Sequence, residues 1–226
     1  MNRPLDPLLE GLREELLKMA GLAEAAVKAA TDGWRLRSQS KLNEVYVIES
    51  RVNQAQMAVD SLCLKMLATQ TPLANDLRII IASIKINTDL ERMVDLAVNI
   101  GKNTEYYLKA DPIGHLVDLA EMSDEVCDMM KRALDSFVRL SEPMARDVLL
   151  QDDKVDAFKN KIFRDVLDHV KADRTTIEQG LNVILIARNL ERIGDHATNI
   201  AEDVIFSITG QDIRHPRENF SKGHTP

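Results

Sequence analysis

The sequence predicts an all-α fold: two tandem three-helix bundles, six long antiparallel helices in all, related by an internal repeat. Three observations predict it. Apolar residues recur at alternating three- and four-residue steps. Glycine and proline are few and sit at a handful of breaks. One eleven-residue segment occurs twice.

The breaks fall at Thr31-Asp32-Gly33 or Ser38-Gln39-Ser40, at Thr71-Pro72, at Asp111-Pro112-Ile113-Gly114, at Ser141-Glu142-Pro143 and at Ala172-Asp173, with Gly210 as the last stop. They delimit helices over roughly 8–37, 41–70, 73–109, 113–140, 143–171 and 175–209. In the second helix Val45, Ile48, Val52, Ala55, Val59, Leu62 and Met66 form a packing seam. In the fourth, Val126, Met130, Ala133, Phe137 and Leu140 do the same. Thr71-Pro72 reads as an N-cap followed by an N1 proline. Thr175 and Glu178 have capping-box spacing. The connections are short, so consecutive helices pack antiparallel.

Composition removes several functional classes. The 226 residues carry 29 basic and 36 acidic groups, a net charge of −7, which disfavours sequence-independent nucleic-acid binding. An apolar fraction of 45% is too high for a disordered chain. No run reaches the roughly 18 apolar residues of a membrane span, so no direct membrane insertion is expected. The start, Met1-Asn2-Arg3-Pro4-Leu5-Asp6, has no signal-peptide core, which makes the cytoplasm the expected location. Cys63 and Cys127 form no CxxC pair and read as small buried hydrophobes. Met66 and Met130 lie at seam positions and read as core filler.

Leu90–Ile100 aligns with Leu190–Ile200 at an offset of 100, with 7 of 11 residues identical. Chance identity is about one in fifteen per position, so coincidence does not explain it. Each copy lies on the third helix of its half. The units are therefore 1–111 and 112–210, followed by a polar tail over 211–226 that is expected to fray.

The repeat places polar residues at i, i+4 and i+8: Glu91, Asp95 and Asn99 in one half, Glu191, Asp195 and Asn199 in the other. These form a slanting stripe beside the apolar seam. A matching set lies on the preceding helix, Asp152 and Asp156 in the second half and Glu49 and Asn53 in the first, at an offset of 103. Carboxylates one turn apart repel, and a cluster of them must take up protons or positive charge. All-oxygen donors suit magnesium, manganese, calcium or iron better than zinc or copper. The ordinary alternative is a solvated charged face paired with Arg92 and Arg192. No Glu is followed three residues later by His, so di-iron oxygen chemistry is disfavoured. His196 occurs in one copy only and reads as a residue that tunes the site. No GxGxxG, GxxxxGK[ST], GxSxG or nucleophile–base pair is present, and no enzyme activity, catalytic residue or organic cofactor is expected.

Leu190–Glu202, Leu90–Ile100, the segment Thr71–Arg78 and the ending Gly210–His215 together resemble the PhoU family, over almost the whole chain from about Leu9 to His215. The resemblance implies a cytoplasmic negative regulator of the phosphate-starvation response that modulates phosphate uptake. It implies an adaptor, often a homodimer, between the ATPase of the phosphate ABC transporter and the sensor histidine kinase of a two-component system. Some family members bind multinuclear iron or other metals through paired E/D-x-x-x-D motifs. Carried onto this chain, the metal ligands are Glu191 and Asp195 with Asp152 and Asp156, and Glu91 and Asp95 with Glu49; Asn199 and Asn99 extend the stripes. The expected cofactor is a divalent or trivalent metal: iron, manganese, magnesium or zinc. Asn53, Met93 and Val94 depart from the fuller signature and weaken the first metal site. A metal-storage or metal-buffering helical protein is the alternative function.

Overall fold

Among the described residues the three- and four-residue apolar steps wind into six helices: α1 (Asp6–Arg35), α2 (Gln39–Thr69), α3 (Ala74–Tyr107), α4 (Val117–Arg139), α5 (Glu142–Ala172) and α6 (Ile177–Thr209), with one 3-10 turn over Arg174–Thr176 before α6. The structure is a computed structural model that describes residues 3–111, 113 and 117–214. No strand occurs among the described residues. Of the predicted polar tail, 215–226 lies outside the described residues, as do Pro112 and Gly114 of the predicted break.

The seams are real. Val45, Val52, Val59 and Met66 are fully buried on α2, and Val126, Met130 and Ala133 on α4. Each buried Val or Met among them contributes about 1.5–3 kcal/mol by leaving water. Leu140 departs from its predicted seam position. It lies past the end of α4, 40% exposed, with φ 47. Its amide donates to the Phe137 carbonyl, and Ser141 N–H to the Ser136 carbonyl, closing the helix end. The α1–α2 corner repeats this: Arg37 has φ 50, and Ser38 N–H donates to the Gly33 carbonyl. Gly33 lies inside α1 rather than in a break. A Cβ there would come within 2.2 Å of Leu42 Cδ2, so any larger residue would have to push the buried Leu42 side chain aside at that corner.

Two predicted helix starts shift. Thr71-Pro72 does not cap α3; the Asp76 carboxylate accepts the Leu73 N–H at 3.1 Å instead. Asp76 also receives both guanidinium nitrogens of Arg3, at 2.7 and 3.1 Å. The α6 start is set by Asp173, whose carboxylate accepts the Thr175 N–H and O–H at 2.9 and 2.7 Å, so α6 proper begins at Ile177. Gly210, with φ 73, ends α6 as predicted. The first residues of the tail are held rather than frayed: Ile213 packs on the core and Arg214 pairs with Asp212. Cys63 is buried and Cys127 half-buried, both as free thiols; burial pushes them up to about 12 and about 11.

Helices α1, α2 and α3 form one bundle, and α4, α5 and α6 the other. The bundles join through α3 against α6 and α1 against α4. Helices α2, α3, α6 and α5 thus form one layer, with α1 and α4 behind it. Across the seam Lys85 faces Asp203, and Asp89 faces Asn199. Numbers fall along α6 as they rise along α3, so the two helices run antiparallel. The 100-residue offset maps this pairing onto itself, so the halves are related by an approximate twofold axis.

Candidate functional site

The second half brings its four predicted carboxylates together across the α5–α6 groove. Asp152 and Asp156 stand on α5, Glu191 and Asp195 on α6. Lys159, one turn beyond Asp156, lies between the helices. Its Nζ donates to Asp156 Oδ1 at 2.6 Å and to Glu191 Oε1 at 2.7 Å. These two bonds push the Lys159 ammonium up to about 12, so it is charged at neutral pH. Asp152 and Asp195 are both held above the ordinary carboxylate range. Burial is the first cause for each. The next is negative charge, from Asp156 on Asp152 and from Glu191 on Asp195. Residual repulsion therefore persists beside the neutralised pair.

The first half gathers three. Burial raises Glu91, helped by the charge of Asp95 and, more weakly, of Glu49 on α2. Arg92 offsets this. Its side chain reaches Glu91 at 3.5 Å and Asp95 at 3.4 Å from within α3 itself. Asn53 and Asn99 are exposed. Asn199 leaves the groove: its amide donates to Asp89 Oδ1 at 3.4 Å, across the seam between the halves. Eight residues at 100° each overshoot two turns by about 80°, which carries the third member of the stripe toward the neighbouring helix.

At that seam His196 and Asn199 are joined by Asp89, Lys85 and Asp203, which no motif marks in the sequence. Asp89 Oδ1 lies 2.7 Å from His196 Nδ1, both half-buried. Lys85 Nζ donates to Asp203 Oδ1 at 3.0 Å and lies 5.6 Å from the Phe206 ring centre. Asp203 is buried, with 5% of its side chain exposed, and burial raises it against the pull of Lys85. An open cavity of about 320 Å³ lies here, walled by Ile84, Lys85, Asp89, Asn199, Asp203 and Arg214. His196 is thus a contact between halves. Its counterpart in the repeat, Leu96, is buried and apolar.

The donor chemistry of the second groove suits a hard cation, but its geometry does not fit one. The Lys159 ammonium stands between Asp156 and Glu191, where an ion bridging α5 and α6 would stand. Among the described residues no three His, Cys, Asp or Glu side chains are disposed to hold a metal ion. No helix among them is long and apolar enough to cross a membrane.

Comparison with known proteins agrees with the doubled architecture. The PhoU domain family model matches residues 16–104 and 119–204. A phosphate-specific transport system accessory protein PhoU homolog of Caulobacter vibrioides (strain NA1000 / CB15N) is 34% identical, over 92% of this chain and 91% of the relative. The Pseudomonas aeruginosa homolog is 35% identical, over 92% and 86%. The crystal structure of PhoU from Pseudomonas aeruginosa superposes with a TM-score of 0.89 at 33% identity, covering 92% of this chain and all of that one. The Streptococcus pneumoniae phosphate transport system regulatory protein PhoU, at 23% identity and a TM-score of 0.86, shares the fold.

Proposed function

Because this chain belongs to the PhoU family, we propose that it regulates phosphate transport as an accessory protein and represses the phosphate-starvation response. In this reading it is a cytoplasmic adaptor between the ATPase of the phosphate ABC transporter and a sensor histidine kinase. It acts by binding two states of a partner with different affinity, not by catalysis. The observation that carries the reading is extent: the resemblance runs through both halves and over 92% of the chain, not over a single motif.

The test is alkaline phosphatase activity in phosphate-replete cells with and without the gene. Constitutively high activity in the deletion strain supports the repressor role. Unchanged activity, together with failure to co-purify with either the kinase or the ATPase, sinks it.

A second reading, metal buffering, would have to rest on the first-half groove of Glu49, Glu91 and Asp95, since Lys159 fills the second. It predicts metal content that tracks supply and a deletion phenotype tied to metal rather than to phosphate.

A further inference from the structure

We propose that Lys159 is the resident cation of the second-half groove, and that its ammonium takes the place a divalent ion would occupy between α5 and α6. The two carboxylates it bridges, Asp156 and Glu191, stand on different helices. Its side chain is 30% exposed and that of Glu191 20%, so the pair is partly withdrawn from water and the attraction is screened less than on an open face. The ammonium is thus a tether across the groove as well as a counter-charge.

The internal repeat supplies an independent argument. At the 103-residue offset that aligns Asn53 with Asp156, Lys159 aligns with Gln56. The half with a carboxylate at the first position has a cation at the second. The half with a neutral amide at the first has a neutral amide at the second. Carboxylate and ammonium occur together or not at all. The first half relies on Arg92, which is bound to carboxylates of its own helix and bridges nothing.

Four carboxylates and one lysine give the second group a formal charge of −3. Removal of the ammonium takes the group to −4 and leaves Asp156 and Glu191 without their bridge. Such a group must take up protons or an external cation, and one hard cation satisfies several carboxylates at once. The groove therefore becomes a divalent-cation site when Lys159 is neutralised, and is not one while Lys159 is in place.

The experiment is Mn²⁺ titration of the purified full chain by calorimetry, with metal analysis of the protein as isolated. Lys159→Gln is expected to bind one Mn²⁺ at least about tenfold more tightly than wild type. Lys159→Arg keeps the charge and is expected to behave as wild type. Asp152→Asn added to Lys159→Gln is expected to abolish the gain, which places the ion in this groove. Lys159→Gln is also expected to melt below wild type without metal and to recover with Mn²⁺. If the variant folds only when Mn²⁺ is present, that outcome supports the proposal as well. One equivalent of metal in wild type as isolated, or equal Mn²⁺ affinity in wild type and Lys159→Gln, overturns it. None of these readouts depends on phosphatase repression, so this proposal and the adaptor reading stand or fall separately.

Discussion

The two halves share a backbone repeat and solve the same electrostatic problem differently. In the first, Glu49, Glu91 and Asp95 crowd the α2–α3 groove, and Arg92 relieves them from α3 itself. In the second, four carboxylates crowd the α5–α6 groove and Lys159 reaches across it. A cation on the same helix lowers local repulsion without joining anything. A cation between helices also holds two elements together. Duplicated carboxylates therefore do not imply duplicated sites, because the counter-charge decides what each groove can accept.

Substitution at matched positions separates what is common to the halves from what is not. The largest effect is expected in the shared core. Leu90→Ala and Leu190→Ala each remove a fully buried side chain and are expected to cost about 2–5 kcal/mol in urea unfolding. With α3 packed along α6, both are expected to shift one common transition. Two separated transitions would show that the halves unfold independently.

The seam between halves is the next contrast. Lys85→Met leaves the buried Asp203 carboxylate without its nearest cation and is expected to cost about 1–2 kcal/mol. Asn103 stands where the repeat would place Asp203, and Asn103→Ala is expected to stay within about 0.5 kcal/mol. Equal losses would remove the asymmetry argued for the seam.

The helix starts differ in their response to acid. Asp76 at the start of α3 is buried and held below the ordinary carboxylate range, first by Arg3. A depressed carboxylate contributes stability above its unfolded value, near 3.8, and that stability is lost as pH falls through the lower folded value. Melting temperature is therefore expected to drop as pH falls below about 4, and Asp76→Asn to flatten that part of the profile. An unchanged profile would transfer the acid response to other carboxylates.

The smallest effect has the opposite sign. Asp152→Asn relieves repulsion in the second groove and is expected to raise the melting temperature at pH 7 by about 1–2 °C. Glu91→Gln is expected to gain less, because it also removes a partner of Arg92. A fall in melting temperature for Asp152→Asn would mean that its carboxylate makes a stabilising contact.

Six helices were legible in sequence because the period of burial is local and the repeat doubles the signal. The starts of α3 and α6 were less so. Thr71-Pro72 has good capping chemistry, yet the Asp76 carboxylate, anchored by Arg3 from 73 residues away, captures the Leu73 amide instead. Glu191, Asp195, Asp152 and Asp156 were legible as a group, since spacing and duplication both mark them. Lys159 was not, because a search for clustered like charge passes over the opposite charge that completes it. The Asp89–His196 contact was out of reach for a different reason. The repeat aligns Asp89 with Asn189, whereas the fold brings it to His196 through the antiparallel packing of α3 on α6.

That packing has a consequence for how the molecule can be recognised. A symmetric pair of separate, identical chains would make every contact across its axis twice. Here Asp89 meets His196 on one side of the axis, while Asn189 and Leu96 stand on the other. Joining the copies in one polypeptide lets each drift alone, so the near-symmetric body acquires a head and a tail. A partner that grips both halves meets them in one orientation only, and one face can present two different neighbours with different ends.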